Sequence, residues 1–580
     1  MGGKFSCSTK ESMKVTEDKS YFCYWGKAEK DGSNYHLLPY HCLDVAAVAD
    51  VWWQKDKALR ESFVRTCNVE EPILKAWILF FIALHDLGKF DVRFQLKAKD
   101  IALSLTSLFS EADNTQSRDF DHGHYGRYWF MQESNSYGFP TLDDSDLFHW
   151  ISDVCGHHGR GFGTGNCYSP IADESVIDHD CASRKQWVEK LKKLFLIPAG
   201  INSADQLPEP PTFLAGFCSV CDWLGSNTDY FRFNNKADMS IDEYFQNQQS
   251  NAVSAIHASG ILGAPARNGG MDIVYPTYEP RGIQHLVSEL PIETGLTLVE
   301  APTGSGKTEA AIAYASRLLA ASLADSIVFA LPTQATANAM LERLEVAGRK
   351  LFPNGVNVVL AHGKARFNSD FIKLKGAAIG KTAQGNEEAF AQCAQWLATS
   401  RKRVFLGQIG VCTIDQVLLS VLPIRHHFVR AFGVRKSILI VDEIHAYDSY
   451  MNGLLDLVLE GQKKAGGSAI LLSATLPSSR RSQIFEKWGS NMPETESDVP
   501  YPLITHAGLE VKEWGSPELA EQRVVKVTAE PTNDMLPDDT LLNEMIESAI
   551  KGALVVIICN LVKDAQKVFR RISKLYSRTR

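Results

Sequence analysis

From Tyr21 to Phe245 the apolar positions recur mostly at helical spacing. Leu74–Phe90 is apolar nearly all round, which predicts one long buried helix. Lys185–Leu196 and Phe213–Leu224 repeat the spacing, and the polar stretch Asn247–Gly270 reads as a connector. Beyond it the texture changes to short apolar runs followed by helical patterns. These runs are Leu296–Glu300, Ile327–Leu331, Asn357–Ala361, Val404–Leu406, Ile438–Val441 and Ala469–Leu472. Such alternation predicts a parallel sheet covered by helices on both faces. The Pro/Ser/Glu-rich segment Pro477–Pro502 reads as a hinge, with new strands expected at Val524–Val527 and Leu554–Cys559. The pattern divides the chain into a loose tail (1–20), an all-α domain (21–245), a connector (246–278), an α/β lobe (279–490), and a hinge with the start of a second lobe (491–580).

Composition narrows the class. The chain has 580 residues, a net charge of −8 and 45% hydrophobic content, as in an ordinary soluble multidomain protein. The longest uninterrupted apolar run, Ala76–Leu84, is far short of the roughly 20 residues of a membrane span. Twelve scattered cysteines without a small-domain framework, and no basic-then-apolar leader, indicate a reducing, cytoplasmic setting. MGGKFS formally fits a myristoylation pattern but is read as tail. Net acidity leaves nucleic-acid binding open, because grooves rather than bulk charge decide it.

The predicted strand Leu296–Glu300 runs into Ala301-Pro-Thr303-Gly304-Ser305-Gly306-Lys307-Thr308 and then an alanine-rich helix. Glycines let backbone N–H groups curl around phosphate, and the helix N-terminus adds positive potential. Lys307 is suited to the β- and γ-phosphates of ATP, and Thr308 to Mg²⁺. The second half of the site is Ile438–Val441 followed by Asp442-Glu443-Ile444-His445. Carboxylates at the C-terminal end of a buried strand lie where ligands bind in open α/β sheets. Asp442 would hold Mg²⁺ through water, and Glu443 would activate the attacking water.

These motifs resemble superfamily 2 helicases of the DExH type, from roughly Pro280 to Asp564. The resemblance implies a RecA-like first lobe, adenine reading by Gln284, and strand tracking by Pro332, Thr333, Gln334, Gln408, Thr413 and Asp415. It also implies that His445, Ser473 and Thr475 couple hydrolysis to movement. Arg401-Lys402-Arg403 and the basic positions between Arg425 and Lys436 are candidates for gripping phosphates. After Leu554–Cys559 no second-lobe arginine motif follows, so the second RecA-like lobe is expected to be cut short, with ATP-driven unwinding lost.

Histidines upstream form a second constellation: His41, His85-Asp86, His122, His157-His158 and Asp222. Imidazole with carboxylate suits Mn, Fe, Co or Ni (Zn also) better than Mg or Ca. The order H…HD…H…HH…D resembles the HD phosphohydrolase superfamily. It implies two divalent transition-metal ions, one held by His41, His85, Asp86 and Asp222, the other by Asp86, His122, His157 and His158. Lys89, a turn after the dipeptide, is a candidate for neutralising the scissile phosphate. Cys218 and Cys221 read as a buried helix face.

An HD metal domain ahead of a superfamily 2 motor resembles the CRISPR-associated helicase–nucleases of type I systems, over nearly the whole chain. YHCLDVAAVAD at Tyr40–Asp50, FFIALHDLGKF at Phe80–Phe90, EAPTGSGKTEAA at Glu300–Ala311 and VDEIHAYD at Val441–Asp448 carry the resemblance. It implies metal-dependent cleavage of single-stranded DNA, 3′-to-5′ movement with ATP and Mg²⁺, and recruitment of a monomer by an RNA-guided surveillance complex. The alternatives are an RNA helicase with a scaffold N-terminal domain, an HD nucleotide phosphohydrolase, and an inert adaptor.

Overall fold

The computed structural model describes residues 17–579 apart from 111, 113–116, 140–145, 160–173, 203–205, 264, 366–367, 381–390, 393, 399, 491–500, 517–525 and 530–535. Most of the expected tail and the later part of the expected hinge Pro477–Pro502 lie outside the described residues. The chain forms two compact units, residues 1–518 and 519–580.

The first unit opens with an antiparallel hairpin, β1 (Trp25–Ala28) and β2 (Tyr35–Leu37), a small departure from an all-α domain. Helices follow: α1 (Leu38–Lys55), α2 (Glu71–Ile82), α3 (His122–Glu133), α4 (Asp146–Cys155), α5 (Leu214–Gly225) and α6 (Ile241–Ser259). The expected helix Leu74–Phe90 is broken. Regular α2 ends at Ile82, the chain turns through Ala83–Asp86, and a 3₁₀ turn covers Leu87–Lys89. A glycine at position 88 serves this turn, because a Cβ there would lie 1.9 Å from the carbonyl oxygen of His122. The expected polar connector is largely α6. Tyr244, Phe245, Ala252, Ala255 and Ile256 supply its buried face, so the 245/246 boundary falls inside a helix. Ser240 caps it by accepting from the N–H of Glu243.

The α/β lobe is built on a nine-stranded sheet in the order β11-β10-β3-β9-β8-β4-β7-β5-β6. The parallel strands are β3 (Leu296–Glu300), β4 (Ile327–Leu331), β5 (Val356–Ala361), β6 (Ala391–Gln392), β7 (Ile409–Thr413), β8 (Ile438–Val441) and β9 (Ser468–Ser473). Val404–Leu406 is a 3₁₀ turn rather than a strand; the sheet takes Ile409–Thr413 instead. β10 (Leu503–Ala507) adds antiparallel to β3, and β11 (Val511–Gly515) adds antiparallel to β10, so residues placed by sequence after the hinge complete this sheet. The 490/491 boundary therefore divides one sheet.

One contiguous apolar cluster runs from Tyr21 to Ala507, so the helical domain and the α/β lobe share a core. Its seam is helix α8 (His427–Arg435) lying on α5. Phe432 meets Trp52 at 5.7 Å and Phe217 at 6.1 Å, and a Cβ on Gly216 would stand 2.4 Å from that of Phe432. Buried charge also crosses the seam. Lys436 pairs with Asp325 at 2.7 Å, and Gly263 lies between Asp325 and Asp56. The Asp56 carboxylate accepts from the N–H groups of Leu59 and Gly263.

In residues 519–580, Asp539–Ile550 and Val562–Thr579 are helices, with Arg571 bonded to Asp539. Leu554–Cys559 is not a strand, because no strand among the described residues pairs with it; Lys526 and Val527 are not strand either. Val524 and Val525 lie outside the described residues.

Burial, and then the neighbouring Asp325, pushes the Asp56 carboxyl up to about 7. With one ammonium serving two buried carboxyls, the folded protein holds a proton that the unfolded chain releases near pH 4. The folded state therefore binds more protons across this window, and stability should fall as pH rises from about 4 to 7, on the order of 2–4 kcal/mol. Thermal melts should show Asp56→Asn losing less stability than wild type between pH 5 and 8. Parallel profiles would contradict this.

Candidate metal centre and nucleotide site

Local rules aim each side chain of the upstream cluster. Helix α1 starts with Leu38-Pro39, a favoured first-turn position for proline, and puts His41 one turn in. His85 and His157 use one device: each sits just past a helix end and donates Nδ1–H to the carbonyl three residues back. His85 reaches Ile82 O at 2.9 Å, and His157 reaches Val154 O at 2.8 Å. That bond leaves Nε2 of each ring facing the site as an acceptor. His122 opens α3, which Asp121 caps by accepting from the N–H groups of Gly123 and His124. Asp222 lies in the last turn of α5 and accepts from the Ser226 hydroxyl at 2.8 Å.

The two oxygens of Asp86 face two sets of donors. Oδ2 lies 3.2 Å from His41 Nε2, 3.3 Å from His85 Nε2 and 2.7 Å from Lys89 Nζ. Oδ1 lies 3.3 Å from His122 Nε2 and 3.7 Å from His157 Nε2. Asp222 Oδ1 approaches His41 at 3.6 Å and His85 at 3.9 Å, and His122 meets His158 at 2.8 Å. The ligand atoms form two groups, Asp86-His122-His157-His158 and His41-His85-Asp222, each within 4.8 Å. His41 Nε2, His85 Nε2, Asp86 Oδ1 and His157 Nε2 are buried without a well-formed hydrogen bond. Most buried polar atoms in folded proteins are paired, so this convergence of unpaired nitrogens and a carboxylate oxygen fits divalent metal ions.

The electrostatics agree. Burial alone would push the Asp86 carboxyl up, but Lys89, then His85, and the close approach of His122 and His41 hold it well below the usual range. Burial likewise opposes ionisation of Asp222, yet Lys27, His157, His85 and His41 hold it far down. Burial, with neighbouring histidine rings, depresses His157 and His158 to about 4. Both rings are thus neutral donors at physiological pH.

The structure gives Lys89 a partner other than open solvent. Its ammonium is buried, paired with Asp86, and donates to the carbonyl of Gly26 at 2.9 Å. Sequence reasoning missed Gly26, Lys27 and Ser219. Gly26 lets the hairpin press on α1, since a Cβ there would stand 3.2 Å from that of His41. Only their nearness in space to the histidines marks them. Cys218 and Cys221 are buried on α5.

In the α/β lobe, Gly304 and Gly306 adopt φ of +82° and +85° in the loop, and Lys307 opens helix α7 (Lys307–Ala320). Lys307 Nζ donates to Ala301 O at 2.7 Å, and its charge feels Glu443 and Asp442. Thr303 and Gly304 are exposed, Ser305 and Thr308 half-buried. Gln284 donates to Gly306 O at 3.3 Å, seating the glutamine against the loop. Glu443 holds the left-handed φ of +54°, a strained conformation for a residue other than glycine. His445 Nδ1 lies 3.2 Å from Ser473 Oγ, which donates to Thr475 O, so the two ends of β8 and β9 are linked.

Pro332 is half-buried, and Thr333, Gln334 and Asp415 are exposed, with Thr333 capping the following helix. Thr413 is buried. Gln408 is inside, bonded to Asn357 N–H and to the carbonyls of Gly260 and Leu262, which removes it from a strand-tracking surface. The basic positions from Arg425 to Lys436 are also redirected. Arg430 and Lys436 are buried, while Arg425 and Arg435 donate to the carbonyls of His158 and Thr212. Arg403 stacks on Trp223 and Trp396. The sequence shows the charge of these residues but not that they lie in the seam.

A histidine–carboxylate cage beside a phosphate-loop lobe defines the class: an HD-type hydrolase domain joined to a helicase-type nucleotide-binding domain. Residues 25–231 match the family "Cas3, HD domain", and residues 281–483 match "DEAD/DEAH box helicase". The chain is 45% identical over 593 residues to CRISPR-associated endonuclease/helicase Cas3 of Escherichia coli (strain K12), covering 96% of this chain and 66% of that one. It is 30% identical over 575 residues to the Thermus thermophilus protein of the same name, covering 97% and 60%. A crystal structure of T. fusca Cas3-AMPPNP superposes with a TM-score of 0.75 at 25% identity, covering 96% of this chain and 64% of that chain. The chain belongs to the Cas3 family and spans less than two thirds of the length of these relatives. No helix among the described residues is long and apolar enough to cross a membrane.

Calorimetry of the metal-free chain should find two Mn²⁺ ions taken up, one per donor group. Asp86→Asn should weaken both by at least about tenfold. Unchanged binding would remove Asp86 from the centre.

Proposed function

We propose that the helical domain is a metal-dependent nuclease acting on single-stranded DNA, and that the α/β lobe is the ATP–Mg²⁺-binding part of a 3′-to-5′ DNA motor. The reading places the chain in CRISPR antiviral defence, as a monomer recruited to invading DNA by an RNA-guided surveillance complex. The observation that carries it is Asp86 standing between two histidine groups with one oxygen toward each. Relatives named endonuclease/helicase support a nucleic acid as the substrate. His41, His85 and Asp222 would hold one ion, and His122, His157 and His158 the other, with Asp86 shared. Two divalent ions in such a site supply a nucleophilic water at neutral pH and charge for the departing oxygen of a phosphodiester.

The chain's own residues do the rest. Lys89 balances Asp86 so that the carboxylate stays ionised at full burial. Nδ1–H bonds to carbonyls fix His85 and His157 in the donor tautomer. In the motor lobe, Lys307 and the glycine loop would bind the phosphates. Asp442 would hold Mg²⁺ and Glu443 would orient water. Among the sequence-assigned positions, Thr333, Gln334 and Asp415 remain exposed for a strand, which a motor would hold mainly through its phosphates.

The 580-residue chain, given Mn²⁺, Co²⁺ or Ni²⁺ and no ATP, should cleave single-stranded DNA, and Asp86→Ala should reduce the rate by at least about 100-fold. Equal cleavage by the two proteins would refute the assignment. Release of phosphate from mononucleotides with indifference to DNA would favour a nucleotide phosphohydrolase.

A further inference from the structure

The turn that carries His157 and His158 is held from both sides. From the helical domain, Ser219 donates to the carbonyl of His157 at 2.9 Å. From the α/β lobe, Arg425 Nε donates to the carbonyl of His158 at 3.3 Å. Gly159, next in the turn, has a φ of +76°, and a Cβ there would stand 2.5 Å from the backbone nitrogen of His426 and 2.8 Å from its Cγ. His426 is itself buried and left-handed, with a φ of +60°. Its ring meets Trp223, the residue after Asp222, at 5.6 Å. Arg425 and His426 therefore touch the backbone beside one donor pair and the neighbour of a third donor. Both lie far outside residues 25–231, the span of the HD family match.

The two residues stand at the head of a packed helix. His426 is the cap residue of α8, which packs into the glycine-sized gap at Gly216. The segment then anchors through Lys436 to Asp325, runs along β8 and ends at Asp442 and Glu443. One short stretch of chain thus begins at the metal turn and ends at the carboxylates assigned to ATP hydrolysis.

We infer that Arg425 and His426 of the α/β lobe are positioning residues of the HD metal centre, holding the His157–His158 turn so that the ion assigned to His122, His157 and His158 is bound. The inference rests on the two-ion reading above. Partners behind the direct ligands of a metal ion typically contribute 10–100-fold to its affinity, and removing the guanidinium leaves the His158 carbonyl without this donor.

The test is titration of the full metal-free chain with Co²⁺, followed by calorimetry and by the visible absorption of the bound ion, for wild type, Arg425→Ala, Arg425→Lys and His426→Asn. Asparagine tolerates the left-handed backbone, so it removes the imidazole with little strain. Arg425→Ala and His426→Asn should each weaken one of the two ions by about tenfold or more, change its absorption, and leave the other ion as in wild type. Arg425→Lys, which can still donate to the carbonyl, should recover part of the loss. If thermal melts show Arg425→Ala loosened, His426→Asn carries the comparison. Two ions bound by wild type and equally well by both variants would overturn this inference alone. Equal weakening of both ions would overturn it too, marking the contact as general packing. A wild-type chain that binds fewer than two ions would defeat the two-ion reading and this inference together.

Discussion

One buried carboxylate sets the terms for the helical domain. Asp86 is almost fully removed from solvent, yet its environment keeps it ionised. A lone buried carboxylate is costly, and the structure offsets that cost with the Lys89 ammonium at 2.7 Å and four imidazoles within 3.7 Å. Those partners arrive from separate places: the start of α1, the turns after α2 and α4, and the start of α3. Close packing at Gly88, Gly26 and Gly225 brings these elements near enough, since a Cβ would overlap backbone at Gly88 and Gly225 and would crowd Leu38 and His41 at Gly26. The cage is thus a consequence of helix ends converging, not of one motif presented on one helix.

The same logic extends across the seam. The helical domain and the α/β lobe share an apolar core, and α8 inserts Phe432 among Trp52, Phe213 and Phe217. Around that aromatic contact, basic side chains end on backbone carbonyls or on buried acids. A seam of this kind fixes geometry more than it adds stability, because exposed charges are screened by water and buried ion pairs gain little net energy. What it provides is a fixed distance between a metal cage and a nucleotide loop.

Much of this was legible in the sequence, for physical reasons. Leu296–Glu300 and Ile327–Leu331 are strands at their expected limits, because buried parallel strands read as unbroken apolar runs. The seven donors also come together. Their order in the chain resembles a known family, and glycines and caps beside them mark the turns. What was hidden depends on tertiary context. Leu74–Phe90 looks like one helix because its apolar positions run nearly all round, and the break at Ala83 follows from the approach of α3, which no local pattern records. Asn247–Gly270 looks polar because only one face of α6 is buried. Gln408, Arg430 and Lys436 look like surface because amide and charge are read as exposed until partners are known, while Arg425 is exposed and still reaches a backbone carbonyl. Residues 503–515 looked like a new lobe because a strand that pairs antiparallel with β3 carries no label for the sheet it joins.

If two metal ions share Asp86, anomalous diffraction from crystals of the chain grown with Mn²⁺ should show it. Two peaks are expected, one among His41, His85 and Asp222 and one among His122, His157 and His158, with Asp86 contacting both. A single peak, or two peaks with Asp86 bound to only one, would contradict it.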